Sequence, residues 1–261
     1  MFASCLKSSS VPVVRSVVSF VFLLTFAGVY ASANPITYTG EDLNAGPGSA
    51  HPNSAAAAAS FDTAAAALGN VSTITFEGAP VGGFSTLSVA PGVTISGAEY
   101  TGANQTILNS PSFPPAPALG GFNTTPGGSE YVNMLGGTLT FHFATPTEFF
   151  GAYLSGVQTA FFQDTVTFSD GTTQTIDVPG TGTTSSNGAL DFVGFTDAGK
   201  SISSVTITAS NAFGADEIGV DDVRYQSLST SPVPEPSSLM LMFSGIAAFG
   251  VGYRRLLAAR A

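Results

Sequence analysis

Residues 138–144 read Thr-Leu-Thr-Phe-His-Phe-Ala. Leu139, Phe141 and Phe143 take alternate positions, with Thr140 and His142 between them. A period of two puts successive side chains on opposite faces of an extended chain, so this segment reads as a strand with one apolar and one polar face. Downstream, Thr165 to Ser169 and Thr172 to Ile176 flank Asp170-Gly171. Such a pair tolerates the positive φ angles of a tight hairpin turn. Upstream, Val71 to Glu77 (VSTITFE) is a further strand, Gly78 to Gly83 a turn, and Thr86 to Val89 and Val93 to Ile95 surround Pro91-Gly92. Glu148 to Leu154, Leu190 to Phe195, Ser203 to Ala209 and Ile218 to Tyr225 complete the set. Short half-apolar strands separated by turns bury their faces by packing two antiparallel sheets. The expected fold is an all-β two-sheet sandwich of jelly-roll type. No repeat of fixed period stands out, which argues against a propeller or a β-helix.

Around this body the chain changes character. Residues 34–53 hold Pro35, Pro47 and Pro52 and read as a loose leader. Residues 54–68, SAAAAASFDTAAAAL, form a helix, since alanine has the highest helix propensity. Asn53 or Ser54 would cap it and Gly69 would end it. Phe61 and Leu68 stand seven apart and share a face that could dock on the sheet. Residues 109–128 are crowded with proline and glycine and read as a long loop, the kind that is usually functional or mobile. The expected organisation is a segment to be removed at 1–33, leader and helix at 34–70, sandwich at 71–228, a Pro-rich linker at 229–236 and a C-terminal segment at 237–261.

The two ends carry addresses. Lys7 and Arg15 precede a thirteen-residue apolar run from Val17 to Val29, and Ala31-Ser32-Ala33 follows. A basic start, a short apolar core and an A-x-A site make a secretory signal peptide, cleaved after Ala33 with Ala31 and Ala33 as the recognised small residues. Cys5, the single cysteine of the chain, leaves with it, so disulfides and thiol catalysis are excluded from the mature protein. At the other end, Pro234-Glu235-Pro236 is an accessible extended strip, because proline cannot join a helix or ladder. Leu239 to Tyr253 is fifteen uncharged residues, brought by Ser237 and Ser238 to about the 17 that a bilayer span needs. Arg254 and Arg255 close it as a cytoplasmic stop.

This order of PEP motif, apolar helix and basic end resembles the PEP-CTERM sorting signal of Gram-negative bacteria. The resemblance implies recognition by an exosortase, a membrane-embedded cysteine protease or transpeptidase. The protein would be held briefly in the inner membrane, cut near Glu235, and released or passed to the surface of an exopolysaccharide-producing, biofilm-forming cell.

Between the signals, residues 34–231 hold sixteen acidic side chains and two basic ones, Lys200 and Arg224. Such a body repels nucleic acid and attracts divalent cations. The sequence has no nucleophile elbow, no histidine-rich metal motif and no tryptophan for a sugar platform. Glycoside hydrolysis needs two facing carboxylates roughly 5–10 Å apart, and no spacing singles out a pair. The expectation is therefore a protein that is not an enzyme.

The candidate site is acidic. Residues 214–225 read GADEIGVDDVRY. Adjacent carboxylates in a strand point to opposite faces, so either Asp221 or Asp222 faces inward unless a bulge intervenes. Its partner is either Arg224, on the same face as Asp222, or Ca²⁺. A first strand ending Phe76-Glu77-Gly78 and a last strand reading Gly219-Val220-Asp221-Asp222-Val223 resemble jelly-roll carbohydrate-binding modules whose end strands share a structural calcium. That resemblance implies Glu77, Asp221 and Asp222 as metal ligands and an exopolysaccharide as partner. Asn123-Thr124-Thr125 fits the N-glycosylation triplet, a match expected by chance in so Thr-rich a chain.

Overall fold

The structure is a computed structural model that describes residues 34–110, 120–158, 164–170, 172–180, 189–210 and 216–227. The expected signal peptide with Ala31 and Ala33, and the C-terminal segment with Pro234, Glu235, Pro236, Arg254 and Arg255, lie outside the described residues.

Two antiparallel sheets stack into the expected sandwich. In chain order the strands are β1 (Ile36–Leu43), β2 (Asn70–Ile74), β3 (Gly82–Phe84), β4 (Thr86–Ala90), β5 (Val93–Ala98), β6 (Gln105–Asn109) and β7 (Glu130–Leu135). They continue as β8 (Gly137–Thr147), β9 (Phe149–Val157), β10 (Thr165–Ser169), β11 (Thr173–Asp177), β12 (Ala189–Thr196), β13 (Ile202–Ala209) and β14 (Glu217–Ser227). One sheet runs β1-β12-β9-β14-β7-β6-β3, with β2 also on β14; the other runs β11-β10-β13-β8-β5-β4. Strand β8 behaves as its alternation demands: Leu139, Phe141 and Phe143 are buried between the sheets, and His142 is exposed.

Four strands escape the sequence reading: β1, β3, β6 and β7. The correction at β1 matters most, because residues 36–43 are no leader. They pair along their whole length with β12, from Ile36 opposite Thr196 to Leu43 opposite Ala189. The sandwich therefore starts at Ile36 rather than Val71.

A helix, α1 (Pro52–Ala66), lies on the outer face of the larger sheet. Pro52 suits its first turn, where its missing N–H is no loss. Neither Asn53 nor Ser54 caps it. Asp42 of β1 does so from outside, accepting the N–H of Asn53 at 3.1 Å and of Ser54 at 2.8 Å. Phe61 is fully buried among Tyr38, Phe149 and Phe192. The sheet makes room with glycine: a Cβ on Gly194 would stand 2.8 Å from the Phe61 ring. Strand β9 is consequently buried on both faces, under the helix and over the inter-sheet core.

Candidate functional site

Strand β14 changes partner halfway along. Glu217 to Val220 pair with β7, and Val223 to Ser227 pair with β2. At the changeover the register against β9 slips, with Asp221 opposite Tyr153 and Arg224 opposite Gly151. Three steps on β14 match two on β9, so one residue is extra. That residue is Asp222, at φ 46°, a left-handed conformation that aspartate tolerates better than most. The bulge lets Val220 and Val223 both face the inter-sheet core. Asp221 then turns to the outer face, where it is fully buried.

What buries it is the segment after the Pro-rich stretch. Ser155 of β9 exchanges hydrogen bonds with Phe122, its Oγ accepting the N–H at 2.8 Å and donating to the carbonyl at 2.7 Å. The Tyr131 hydroxyl donates to the Gly121 carbonyl at 2.9 Å. This crossing passes directly over Gly219, where a Cβ would stand 2.9 Å from the Phe122 nitrogen. Residues 123–125 then close over the carboxylate. Asp221 Oδ2 accepts the N–H groups of Thr124 at 2.8 Å and Thr125 at 3.1 Å, and the Asn123 amide at 3.1 Å. Its Oδ1 accepts the N–H of Asp222 at 2.7 Å. The hydroxyls of Thr124 and Thr125 reach the two oxygens of Asp222 at 3.1 and 2.9 Å. Burial pushes the Asp221 carboxyl up to about 7, Asp222 beside it adds to the rise, and the three amide donors oppose it.

Glu77 joins the same loop from the other side. The turn at Phe76 (φ 58°) and Gly78 (φ 84°) aims it at residues 123–130. Its Oε1 accepts the N–H groups of Ser129 at 2.8 Å and Glu130 at 2.9 Å, and the Asn123 amide at 3.2 Å. Glu130 returns the favour, accepting the N–H of Gly78 and the Asn109 amide. Glu77 and Asp221 therefore meet, as the sequence reading expects, but through Asn123.

The acidic oxygens of this site carry hydrogen bonds from the loop. A cation here would compete with the N–H and O–H donors that engage Asp221, chiefly at Oδ2, and Glu77 Oε1. Among the described residues, no three His, Cys, Asp or Glu side chains come together to hold a metal. Nor is Arg224 the partner of the Asp222 carboxylate. Its Nε donates to Asp62 of α1 at 2.8 Å and its Nη1 to the Asp222 backbone carbonyl at 2.8 Å. The guanidinium lies over the rings of Tyr153 and Phe192, 5.3 and 5.4 Å from their centroids. Arg224 thus rivets helix to sheet. His142 sits 3.0 Å from the Ser96 hydroxyl on the exposed face, and His51 packs edge-on to Tyr153.

Sequence reasoning reached Glu77, Asp221 and Asp222 but missed Asn123, Thr124, Thr125 and Glu130. The one signal available was the Asn-Thr-Thr triplet, whose polar side chains serve here as loop-to-strand donors.

Comparison with known proteins adds one firm finding. Residues 232–255 match the PEP-CTERM protein-sorting motif. No curated protein matches the chain. Among solved structures, the catalytic domain of GH87 alpha-1,3-glucanase in complex with tetrasaccharides is 18% identical with a TM-score of 0.28. The same domain in complex with nigerose is 16% identical with a TM-score of 0.27. Each match covers 60% of this chain, which spans about a third (31%) of the glucanase chain. Likeness this low carries no activity across. The chain carries a PEP-CTERM signal, the mark of an exported protein sorted by an exosortase to the cell surface.

Proposed function

We propose that the chain is a non-catalytic protein of the cell envelope or extracellular matrix, with a structural or adhesive role. The observation that carries this is the sorting motif at residues 232–255. The uncharged run from Leu239 to Tyr253 holds the chain in the inner membrane until it is cut near Glu235, and the sandwich then remains at the surface or outside. The acidic site supports the non-catalytic half of the reading. Glu77 Oε1, Asp221 and Asp222 hold residues 123–130 in place through hydrogen bonds, a structural use of these acids.

A second reading, a calcium-stabilised module on the producer's exopolysaccharide, draws on a groove of about 430 Å³. It is lined by Ser72, Phe143, Thr145, Tyr225 and Gln226. Melting the full chain in detergent, first with excess EDTA and then with millimolar Ca²⁺, separates the two. The structural reading expects superimposable melts and no calcium-dependent co-sedimentation with the polysaccharide. A rise of several degrees with Ca²⁺ but not Mg²⁺, together with co-sedimentation, would replace it with the carbohydrate-binding reading.

A further inference from the structure

A second acidic group lies away from the loop site. Asp164 precedes β10 and Asp216 precedes β14, and both are buried. Asp164 Oδ2 and Asp216 Oδ1 are buried and have no hydrogen-bond donor, and each carboxyl lies close enough to act on the other. Ionised carboxylates are acceptors only, so these two oxygens can satisfy each other only if a proton sits between them. The remaining partners tie strand ends together. Asp216 Oδ2 accepts the N–H of Gln158 at the end of β9, at 2.7 Å. Asp164 Oδ1 accepts the N–H of Ser210 at the end of β13, also at 2.7 Å. The Asp164 carbonyl accepts the N–H of Val178 after β11, and the Asp216 N–H donates to the Ser210 carbonyl, both at 2.8 Å. Strands β9 and β14 belong to one sheet, and β10, β11 and β13 to the other. The carboxyl pair therefore bridges the two sheets.

Asp191 adds to it from β12. It is fully buried, and neither of its oxygens has a hydrogen-bond partner. Alternation along β12 puts it on the face of Val193 and Phe195, toward the inter-sheet core. An ionised carboxylate in that position, without a donor, is strongly disfavoured. The groups that act on Asp191 are all acidic: Glu41 and Asp42 from β1, Asp164 and Asp216. A further neighbouring carboxyl pair, Asp170 with Asp197, differs in having Lys200 Nζ 3.8 Å from Asp170.

We propose that Asp164 and Asp216 share one proton and that Asp191 keeps its own at neutral pH, so that this end of the sandwich is a proton-held clamp between the sheets that loosens as the medium turns alkaline. Burial supports it, holding Asp164 and Asp216 above the usual carboxylate range and Asp191 at about 9. The sign is fixed by linkage. An acid whose folded-state pKa lies above its unfolded value of about 4 binds more protons when folded. Its stabilising effect is complete in acid and is lost as pH rises from about 4 toward the folded pKa. Each such group lowers the folding constant by about tenfold per pH unit within its window.

The test is denaturant unfolding of the full chain in detergent from pH 5 to pH 9, for the wild type, Asp191→Asn and Asp164→Asn. Asparagine imitates the protonated acid but cannot titrate. The clamp requires a folding constant that falls steeply toward pH 9 and a shallower fall in each variant. It also requires an infrared carbonyl band of protonated carboxyl in the wild type at pH 7, weakened in each variant. A flat wild-type profile, variants with the full wild-type slope, or no protonated band at pH 7 would overturn it. So would a slope that millimolar Ca²⁺ removes, since a cation would then hold these oxygens. If a variant does not fold, the wild-type infrared band decides alone.

Discussion

Replacing Phe61 by alanine is expected to destabilise the protein by about 3–5 kcal/mol, the range for emptying a large buried aromatic site. The reason lies in how little else holds α1. The helix is mostly alanine, whose methyl groups bury small areas, and fifteen residues are marginal as a helix in water. Phe61 fills a socket between Tyr38, Phe149 and Phe192, with ring centroids 5.5–5.9 Å away, over a floor of Gly151 and Gly194. Without the ring, the Arg224–Asp62 pair and the Asp42 cap remain, but the apolar contact between helix and sheet shrinks to the methyl groups of Ala58 and Ala65. Urea unfolding followed by far-UV circular dichroism would show a lower midpoint and a reduced helical signal. Phe61→Leu keeps most of the volume and should lose less than about 1.5 kcal/mol. A Phe61→Ala midpoint near the wild type, with the helical signal intact, would mean that the helix is held by its ends.

Asp221→Ala is expected to cost about 3 kcal/mol. The carboxylate is fully buried and satisfies the N–H groups of Thr124, Thr125 and Asp222. A buried donor left without a partner costs roughly 1–3 kcal/mol, and part of that is recovered if the loop moves out to water. Asp221→Asn keeps an acceptor in place and should cost about 1 kcal/mol, the scale of a single net hydrogen bond. The pair of variants separates anchoring from charge. If alanine and asparagine destabilise equally, the charge rather than the acceptor holds the loop, and the assignment of Asp221 as a loop anchor fails. Limited proteolysis offers a second readout, because residues 122–125 should become cleavable in the alanine variant alone.

The parts of the fold that were legible in the sequence are those with one wet face. Strand β8 exposes Thr140 and His142, and its alternation is plain. Strand β7 is buried on both faces, so EYVNML shows no period, and it follows a proline-rich loop that draws attention away from it. Strand β1 hides between prolines and ends in Glu41-Asp42-Leu43, which reads as polar loop. Asp42 and Asp191 have their reasons across the fold, one in capping a helix eleven residues away and one in facing a core. The Asp221-Asp222 pair presents the sequence reader with a real choice, one acid inward or a bulge. The φ of Asp222 settles it, and nothing local in GVDDVRY encodes which outcome occurs. Arg224 shows the same limit. Its neighbour at i−2 supplies a backbone carbonyl, while the carboxylate comes from Asp62, 162 positions earlier. Charge pairing read along a strand cannot see a helix docked on the far side.

The sorting account is tested most directly by the intact mass of the protein recovered from the surface and medium of a cell with an active exosortase, compared with an exosortase-deficient cell. The account predicts a chain that starts at Asn34 and ends near Glu235 in the first cell, and one that retains residues 237–261 in the membrane fraction of the second. A protein that keeps its arginine tail in both cells, or that loses it in both, would contradict the claim that an exosortase processes this chain.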